Sequence, residues 1–310
     1  MDTFLNIEPL AMEEAGIPKN SLEGKVAVIT GSSQNIGLGY ARAIAWAGAK
    51  VVLADINEEA GNEAARFINV ENGEGTAIFV KTDVSKVEDI KNLAVQANAA
   101  FGKVDLLINN AMNMRLNHKI LDASIEDLDM SYAISGRGVA AAIKEFVPGM
   151  IERGYGVVTY SSTQFHYCPP MVGGTVYCAG KAAATSVMMS LANEVKDTGV
   201  NVFCMVPAGV VRIDPSRIPV RPDGKPAEAP SFKMPGFNGM IPPEAGGTAM
   251  VYCILNAAKL HGSGIIINDA FEAMNFPYPN PDGVRKNESR KLTDMELTMA
   301  FCNMGPGFND

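Results

Sequence analysis

The chain has 310 residues, of which 47% are hydrophobic and 19% charged, so it contains enough apolar material for one large core. Its formal net charge of −8 disfavours binding to nucleic acid, and no apolar run reaches membrane-spanning length. The first residues do not resemble a secretory signal, and the five cysteines are dispersed, so we expect a cytoplasmic protein with neither a disulfide framework nor a catalytic metal.

Seven apolar runs alternate with helical patterns along the chain, an order typical of parallel strands joined by crossover helices. The runs occupy residues 25–30, 50–55, 76–81, 104–109, 156–161, 200–206 and 264–269. We therefore predict an α/β fold, a doubly wound sheet of seven parallel strands with helices on both faces. One domain is expected at 22–276, with an N-terminal extension at 1–21 and a C-terminal extension at 277–310.

Helix start and stop signals fall between these runs. The residues that can cap a helix or end it in the left-handed conformation are Asn57, Ser85, Ser124 with Asp127, Gly48 and Gly199. From about 209 to 240 the chain is rich in Pro and Gly and has little periodicity, and Pro243 then opens another helical pattern. So long an irregular segment in a compact domain is usually functional, and we predict that it forms a lid.

A glycine-rich turn follows directly after the first apolar run, with the sequence Thr30-Gly31-Ser32-Ser33-Gln34-Asn35-Ile36-Gly37. Backbone N–H groups in such a turn, together with the dipole of the following helix, bind a pyrophosphate. Asp55 ends the second run, where a carboxylate can accept hydrogen bonds from ribose hydroxyls and would repel a 2′-phosphate. The pattern predicts a dinucleotide site for NAD(H) rather than NADP(H).

This turn resembles the TGxxxGxG loop of the short-chain dehydrogenase/reductase family. Thr30, Gly31 and Gly37 match, and Asn35 stands where the middle glycine is usual. Because Asn tolerates positive φ better than other non-glycine residues, we expect the turn to be kept. The resemblance covers about residues 22–272 and implies a Rossmann fold. It also implies cofactor contacts at Gly31, Ser33, Asn35, Ile36, Gly37, Asp55, Asp83, Val84, Asn110, Ala111, Tyr177, Lys181 and Pro207.

Tyr177 and Lys181 have the spacing YxxxK in a strongly helical segment, which puts both on one helix face. A neighbouring ammonium favours the phenolate, so we expect Lys181 to lower the pKa of Tyr177. Ser162 closes the fifth run, 15 residues before Tyr177. In the family such a Ser-Tyr-Lys set is catalytic, with the lysine also holding the nicotinamide ribose. The resemblance further implies that Ser135 stands where a catalytic Asn is usual.

These residues predict an enzyme that interconverts a secondary alcohol and a ketone. Methionines in segments expected to line the pocket favour an apolar, cyclic or steroid-like small-molecule substrate, although core filling explains them as well. These methionines are Met112, Met114, Met171, Met205, Met234 and Met240. Arginines in and before the predicted lid leave an anionic or CoA-linked substrate open. They are Arg115, Arg137, Arg212, Arg217 and Arg221.

Three departures from the family pattern keep a rival hypothesis open, in which the chain is a non-catalytic NAD(H)-binding sensor or partner subunit. They are Asn35, Met112 in place of the glycine of the family's NNAG motif, and Ser135. Retention of the Ser-Tyr-Lys set favours the enzyme instead. By fold analogy we also expect a homo-oligomer, either a tetramer or a dimer.

Overall fold

The computed structural model describes residues 7–113, 119–163, 174–207, 233–234, 237–238 and 241–276. Seven strands form one parallel sheet: β1 (Val26–Thr30), β2 (Lys50–Asp55), β3 (Ala77–Lys81), β4 (Leu106–Asn109), β5 (Gly156–Ser161), β6 (Val200–Val206) and β9 (Ser263–Ile266). Their order in the sheet is β3-β2-β1-β4-β5-β6-β9. The predicted seven-stranded doubly wound sheet is confirmed.

The strand order reverses between β1 and β4, because the chain first adds β2 and β3 on one side of β1 and then returns to its other side. The carboxyl ends of parallel strands meet at one edge of the sheet, and ligands bind in the crevice at such a reversal. This topology therefore brings the predicted loop after β1 next to the residues that follow β4.

Helices cover both faces of the sheet, and each face has its own apolar core. One face carries α1 (Asn35–Trp46), α2 (Glu58–Asn72) and α7 (Pro243–Leu255), and the other carries α3 (Val87–Phe101), α5 (Gly138–Glu152) and α6 (Thr175–Glu194). Alternate residues of β1 serve the two cores: Ala27 and Ile29 point to the first, and Val26 and Val28 to the second. Strands buried on both faces explain the continuous apolar runs in the sequence.

Shorter elements complete the described residues. They are α4 (Ile125–Tyr132), a π-helical turn (Ala133–Arg137), α8 (Ala257–Leu260), α9 (Ile267–Ala273) and an antiparallel pair formed by β7 (Lys233–Met234) and β8 (Phe237–Asn238). The pair β7–β8 lies inside the predicted lid, and most of that lid falls outside the described residues. The predicted C-terminal extension also lies outside them.

Helices α1 and α7 approach each other closely, because glycines face backbone atoms at their contact. A Cβ at Gly39 would lie 2.1 Å from the Pro243 carbonyl oxygen, and one at Gly247 would lie 2.2 Å from the Gly39 carbonyl oxygen. Both positions therefore exclude any side chain. The contact fixes the start of α7 against the helix that follows the glycine-rich loop.

The described part of the N-terminal extension packs on the first core instead of standing apart from it. Met12 is fully buried, and Ile17 is nearly so. The Glu8 carbonyl oxygen accepts a hydrogen bond of 3.2 Å from the guanidinium of Arg42 in α1, which also pairs with Glu71 and Glu244. The division of the chain at residue 21 stays a prediction.

Several local signals behave as expected. Asn57 caps α2 by accepting from the Ala60 N–H, and Ser124 with Asp127 forms a capping box on α4. Gly48 follows α1 with a φ of 92°, and α7 begins at Pro243.

Other local predictions need correction. Ser85 does not cap α3, because its hydroxyl donates to the Asp83 carboxylate and Lys86 occupies the cap position. Gly199 has a φ of 84°, but α6 has already ended at Glu194, so this glycine shapes the turn into β6. The last strand ends at Ile266, three residues earlier than predicted, because α9 begins at Ile267.

Candidate active site

The glycine-rich loop between β1 and α1 needs its glycines for space as well as for conformation. Gly31 has a φ of 64°, and a Cβ there would lie 2.7 Å from Ala111 Cα. A Cβ at Gly37 would lie 2.1 Å from the Gly31 carbonyl oxygen. Asn35 has a φ of 50°, so the asparagine does adopt the left-handed conformation that the departure from TGxxxGxG required. The loop therefore keeps a glycine-type geometry with Asn in the middle position.

Asn110 ties this loop to the ends of β4 and β5. Its Nδ2 donates to the carbonyl oxygens of Thr30 and Gly31, at 3.2 and 3.0 Å, and its Oδ1 accepts from Ser161 Oγ at 3.0 Å. The Thr30 hydroxyl oxygen in turn accepts from the backbone N–H groups of Asn110 and Ala111. Four of these five hydrogen bonds join Thr30 and Gly31 to Asn110 and Ala111, and they hold the loop over the point where the strand order reverses.

Asp55 lies beside the loop at the end of β2. Its carboxylate accepts from the backbone N–H of Ser33 at 3.0 Å and from that of Asn57 at 3.0 Å. The Ser33 hydroxyl is buried and has no hydrogen-bond partner among the described residues. A buried polar atom without a partner is costly unless a ligand or water satisfies it. A loop whose glycines let a ligand approach the backbone, the Asp55 carboxylate and the unpartnered Ser33 hydroxyl together fit a dinucleotide.

The remaining residues predicted to contact the cofactor lie along the same edge. Asp83 and Val84 follow β3, Ile36 lies in the first turn of α1 and Pro207 follows β6. Burial raises the pKa of the Asp83 carboxyl, but hydrogen bonds from the Ser85 hydroxyl and N–H, at 2.6 and 3.0 Å, outweigh it and the net pKa is lowered. The Asp83 carboxylate therefore stays ionised and oriented by its own turn.

Lys181 and Tyr177 project from the first two turns of α6 toward the end of β5. Lys181 is almost fully buried, and its Nζ donates to the Ser161 carbonyl oxygen and lies 5.6 Å from the centre of the Tyr177 ring. Burial lowers the pKa of Lys181 to about 7. The amine therefore titrates near neutral pH.

The expectation that Lys181 lowers the pKa of Tyr177 is not met in this geometry. Burial raises the pKa of Tyr177 to about 12, and a hydrogen bond with Thr163 offsets only part of that rise. The Lys181 amine donates to the Ser161 carbonyl oxygen and not to the Tyr177 hydroxyl, so it does not stabilise the phenolate here. Tyr177 is accordingly a protonated phenol at neutral pH.

Ser162 directly follows β5 and is buried, and its hydroxyl lies 2.7 Å from that of Thr185 in α6. Ser135 lies in the π-helical turn between α4 and α5 and is fully buried, and its hydroxyl donates to Met112 Sδ at 3.4 Å. Such turns are often found at functional sites. The hydroxyl of Ser135, which we expected to replace the family's Asn, therefore donates its proton to Met112. A proton relay through Ser135 stays a prediction.

In the ranges that the structure describes, no three His, Cys, Asp or Glu side chains are grouped as a metal site would require. The described helices also include none that is long and apolar enough to cross a membrane.

Comparison with known sequences identifies the family. A family profile described as "short chain dehydrogenase" matches residues 25–214. The chain is a member of the short-chain dehydrogenase/reductase family. "Tropinone reductase-like 1" of Erythroxylum coca is 31% identical over 199 residues, which are 63% of this chain and 70% of the relative.

Solved structures of other short-chain dehydrogenases/reductases have the same fold. L-sorbose reductase from Gluconobacter frateurii, complexed with NADPH and L-sorbose, has a TM-score of 0.73 and 26% identity, covering 80% of this chain and 97% of its own. The 3-ketoacyl-(acyl-carrier-protein) reductase from Brucella melitensis, complexed with NADH, has a TM-score of 0.68 and 27% identity, covering 79% and 97%. The family thus includes users of both nicotinamide dinucleotides.

The site of this short-chain dehydrogenase/reductase also includes residues that the sequence motifs did not predict. Thr163 hydrogen-bonds Tyr177, and Thr185 hydrogen-bonds Ser162. The Tyr160 ring lies 4.7 Å from Lys181 Nζ, measured to the ring centre. Thr185 stands four residues after Lys181, on the same helix face, and this spacing is the one signal that could have singled it out.

Proposed function

We propose that the chain is an NAD(H)-dependent oxidoreductase that interconverts a secondary alcohol and a ketone. The observation that carries this proposal is the placement of helix α6 against the carboxyl end of β5. Lys181 Nζ contacts the Ser161 carbonyl oxygen and lies 5.6 Å from the Tyr177 ring centre. The hydroxyl of Ser162, the next residue along the chain, contacts Thr185 in the same helix. Asn110 connects the same strand end to the glycine-rich loop.

Each residue has a role that follows from its surroundings. Tyr177, protonated at neutral pH, donates its phenolic proton to the carbonyl oxygen during reduction and accepts a proton from the alcohol during oxidation. Lys181 holds the nicotinamide ribose in this proposal and, because its pKa is about 7, exchanges protons near neutral pH. Ser162 hydrogen-bonds the same substrate oxygen. A nicotinamide cofactor supplies or accepts the hydride when bound.

The proposed preference for NAD(H) rests on Asp55. Its carboxylate is held beside the loop by two backbone N–H groups, and a negative charge there favours ribose hydroxyls and repels a 2′-phosphate. The described loop residues Ser32, Ser33 and Gln34 supply no cation that would offset this charge. The other residues proposed to hold the cofactor are Gly31, Asn35, Ile36, Gly37, Asp83, Val84, Asn110, Ala111 and Pro207.

The proposed substrate is an apolar, cyclic or steroid-like alcohol or ketone. Met112, partly exposed beside Ser135, is the methionine that supports this choice. Met205 is fully buried in the first core, so it fills the core rather than a pocket. Met114, Met171 and Met240 lie outside the described residues, and of Met234 the structure describes the backbone alone. A relative named for tropinone is consistent with a ring ketone.

An anionic or CoA-linked substrate has less support. The Arg137 guanidinium donates to the Ser85 carbonyl oxygen at 2.8 Å, which engages this arginine in the fold. The other candidates, Arg115, Arg212, Arg217 and Arg221, lie outside the described residues. A homo-oligomeric state, as a tetramer or a dimer, and a cytoplasmic location also belong to the proposal.

The test compares the parent with Tyr177→Phe on a panel of cyclic secondary alcohols and ketones, with NAD(H) absorbance as the readout. Removal of the phenolic hydroxyl is expected to lower turnover by a factor of about 100 or more while NAD(H) affinity stays unchanged. Tyr252→Phe, on α7 away from the site, is the matched control and should keep parental turnover. Near-parental turnover of Tyr177→Phe would refute the assignment. A parent that binds NAD(H) tightly and turns over no substrate would favour the sensor hypothesis.

A further inference from the structure

The hydroxyls of Ser162 and Thr185 form a directed pair beneath the proposed reaction centre. Their oxygens lie 2.7 Å apart, and Thr185 Oγ1 also lies 2.9 Å from the Lys181 carbonyl oxygen. A carbonyl oxygen cannot donate, so the Thr185 hydroxyl donates its single proton to the Lys181 carbonyl oxygen. The proton between the two hydroxyls therefore belongs to Ser162, which donates to Thr185.

Both side chains are shut off from solvent, with exposed fractions of 3% for Ser162 and 6% for Thr185. A serine side chain has three staggered rotamers, and little distinguishes them unless a partner holds the hydroxyl. Thr185 is such a partner, and its own rotamer is restricted by its β-branch and by the bond back to Lys181. The pair thus fixes the Ser162 oxygen relative to the helix that carries Tyr177 and Lys181.

We propose that Thr185 is a positioning residue that holds Ser162 for contact with the substrate oxygen. This inference rests on the proposed role of Ser162 and adds a residue to it. An alcohol has one hydroxyl proton, which passes to Tyr177, so Ser162 must donate to the substrate oxygen in both directions of the reaction. When an alcohol or a ketone binds, Thr185 turns its proton to Ser162, which then donates its own proton to the substrate oxygen.

This turn of the Thr185 hydroxyl has a low cost. The Lys181 carbonyl oxygen lies inside α6, where the backbone N–H four residues later is its regular partner. Losing the side-chain bond therefore leaves no buried acceptor without a partner. The same pair of hydroxyls can serve both directions of the reaction.

The experiment is a double-mutant cycle on turnover at saturating NAD(H), with the substrate found for the parent. Thr185→Val keeps the β-branch and removes the hydroxyl, and we expect kcat to fall about tenfold, the effect of one positioning hydrogen bond, with NAD(H) binding unchanged. Thr185→Ser should restore most of the loss. In a Ser162→Ala background, Thr185→Val should cause no further loss, because the residue that it positions is already gone.

Thr248→Val is the matched control, since Thr248 is also a buried helical threonine whose hydroxyl donates four residues back, to the Glu244 carbonyl oxygen. It should turn over like the parent. The inference is overturned if Thr185→Val is as fast as the parent, or if it loses tenfold in the Ser162→Ala background too. Should Thr185→Val fail to fold, Thr185→Ala replaces it in the cycle.

Failure of the proposed function gives a different result. If Ser162→Ala alone keeps parental turnover, the role of Ser162 is wrong and the inference falls with it. If no substrate is found, urea unfolding of the same four proteins tests the pair directly. Additive losses of stability in the double variant would then overturn the coupling between the two hydroxyls.

Discussion

Lys181 offers a stability test of the site that needs no substrate. Burial lowers its pKa from 10.5 to about 7 in the folded protein, whereas the unfolded chain keeps the ordinary value. Well below pH 7, the folded state bears the full cost of the buried ammonium. Between pH 7 and 10.5 the unfolded state binds more protons, so the stability contributed by this residue rises with pH.

The perturbation is Lys181→Met, which keeps the length of the side chain and removes the amine. One pKa unit corresponds to about 1.4 kcal/mol, so the advantage of the variant over the parent should shrink by up to that amount per pH unit above pH 7. Structural relaxation around the amine reduces the total between pH 7 and 10 to about 2–3 kcal/mol. We expect the variant to be more stable than the parent at pH 7 and inactive.

The assay is urea unfolding of both proteins from pH 6 to 10, with the difference in the free energy of unfolding plotted against pH. Taking the difference cancels every titrating group that the two proteins share. A difference that stays constant from pH 7 to 10 would refute the lowered pKa. Thr185→Ser, which leaves the amine in place, should follow the parent at every pH.

Two further predictions concern the cofactor and the core. Asp55→Asn removes the charge and keeps an acceptor oxygen for one of the two backbone N–H groups, of Ser33 and Asn57, that bond different carboxylate oxygens. The ratio of kcat/KM for NADPH to that for NADH should rise at least tenfold, and an unchanged ratio would show that Asp55 does not set cofactor choice. Thr159→Val should raise the free energy of unfolding by about 1 kcal/mol, because the Thr159 hydroxyl is buried with no partner among the described residues. Thr82→Val should lower the free energy of unfolding by about the same amount, because the Thr82 hydroxyl donates to the Val80 carbonyl oxygen. Thermal unfolding of both variants decides, and a loss of stability in Thr159→Val would contradict the reasoning.

The sheet was predictable because each strand is buried on both faces and therefore leaves a continuous apolar run in the sequence. The glycine-rich loop was predictable because it is local: Gly31, Asn35 and Gly37 meet their conformational demands within a few residues. The end of β9 was not predictable from its residues. Ile265, Ile266 and Ile267 suit a strand equally well, and the helical turn that begins at Ile267 depends on packing.

The electrostatics of the site were not predictable from spacing. The interval between Tyr177 and Lys181 places both on one helix face, but it does not reveal that the amine is directed to the Ser161 carbonyl oxygen. Burial therefore dominates both pKa values, an effect that depends on residues far away in the sequence. His261 is a similar case, because its sequence position does not reveal that its ring accepts from the Val202 N–H and bonds the Ala192 carbonyl oxygen, and so links β6 to α6.

The close contact between Gly39 and Pro243 has a consequence for how substrate choice can change. Strand β6 ends at Val206, and helix α7 begins at Pro243, where its first turn packs against α1, the helix that follows the glycine-rich loop. With both anchors fixed, doubling the length of the intervening segment costs only about 0.6 kcal/mol of chain entropy. The segment between them can therefore be exchanged for one of another length or composition without disturbing the dinucleotide loop. If the predicted lid at 209–240 contacts the proposed substrate, exchanging this segment should change substrate selectivity and leave cofactor binding intact.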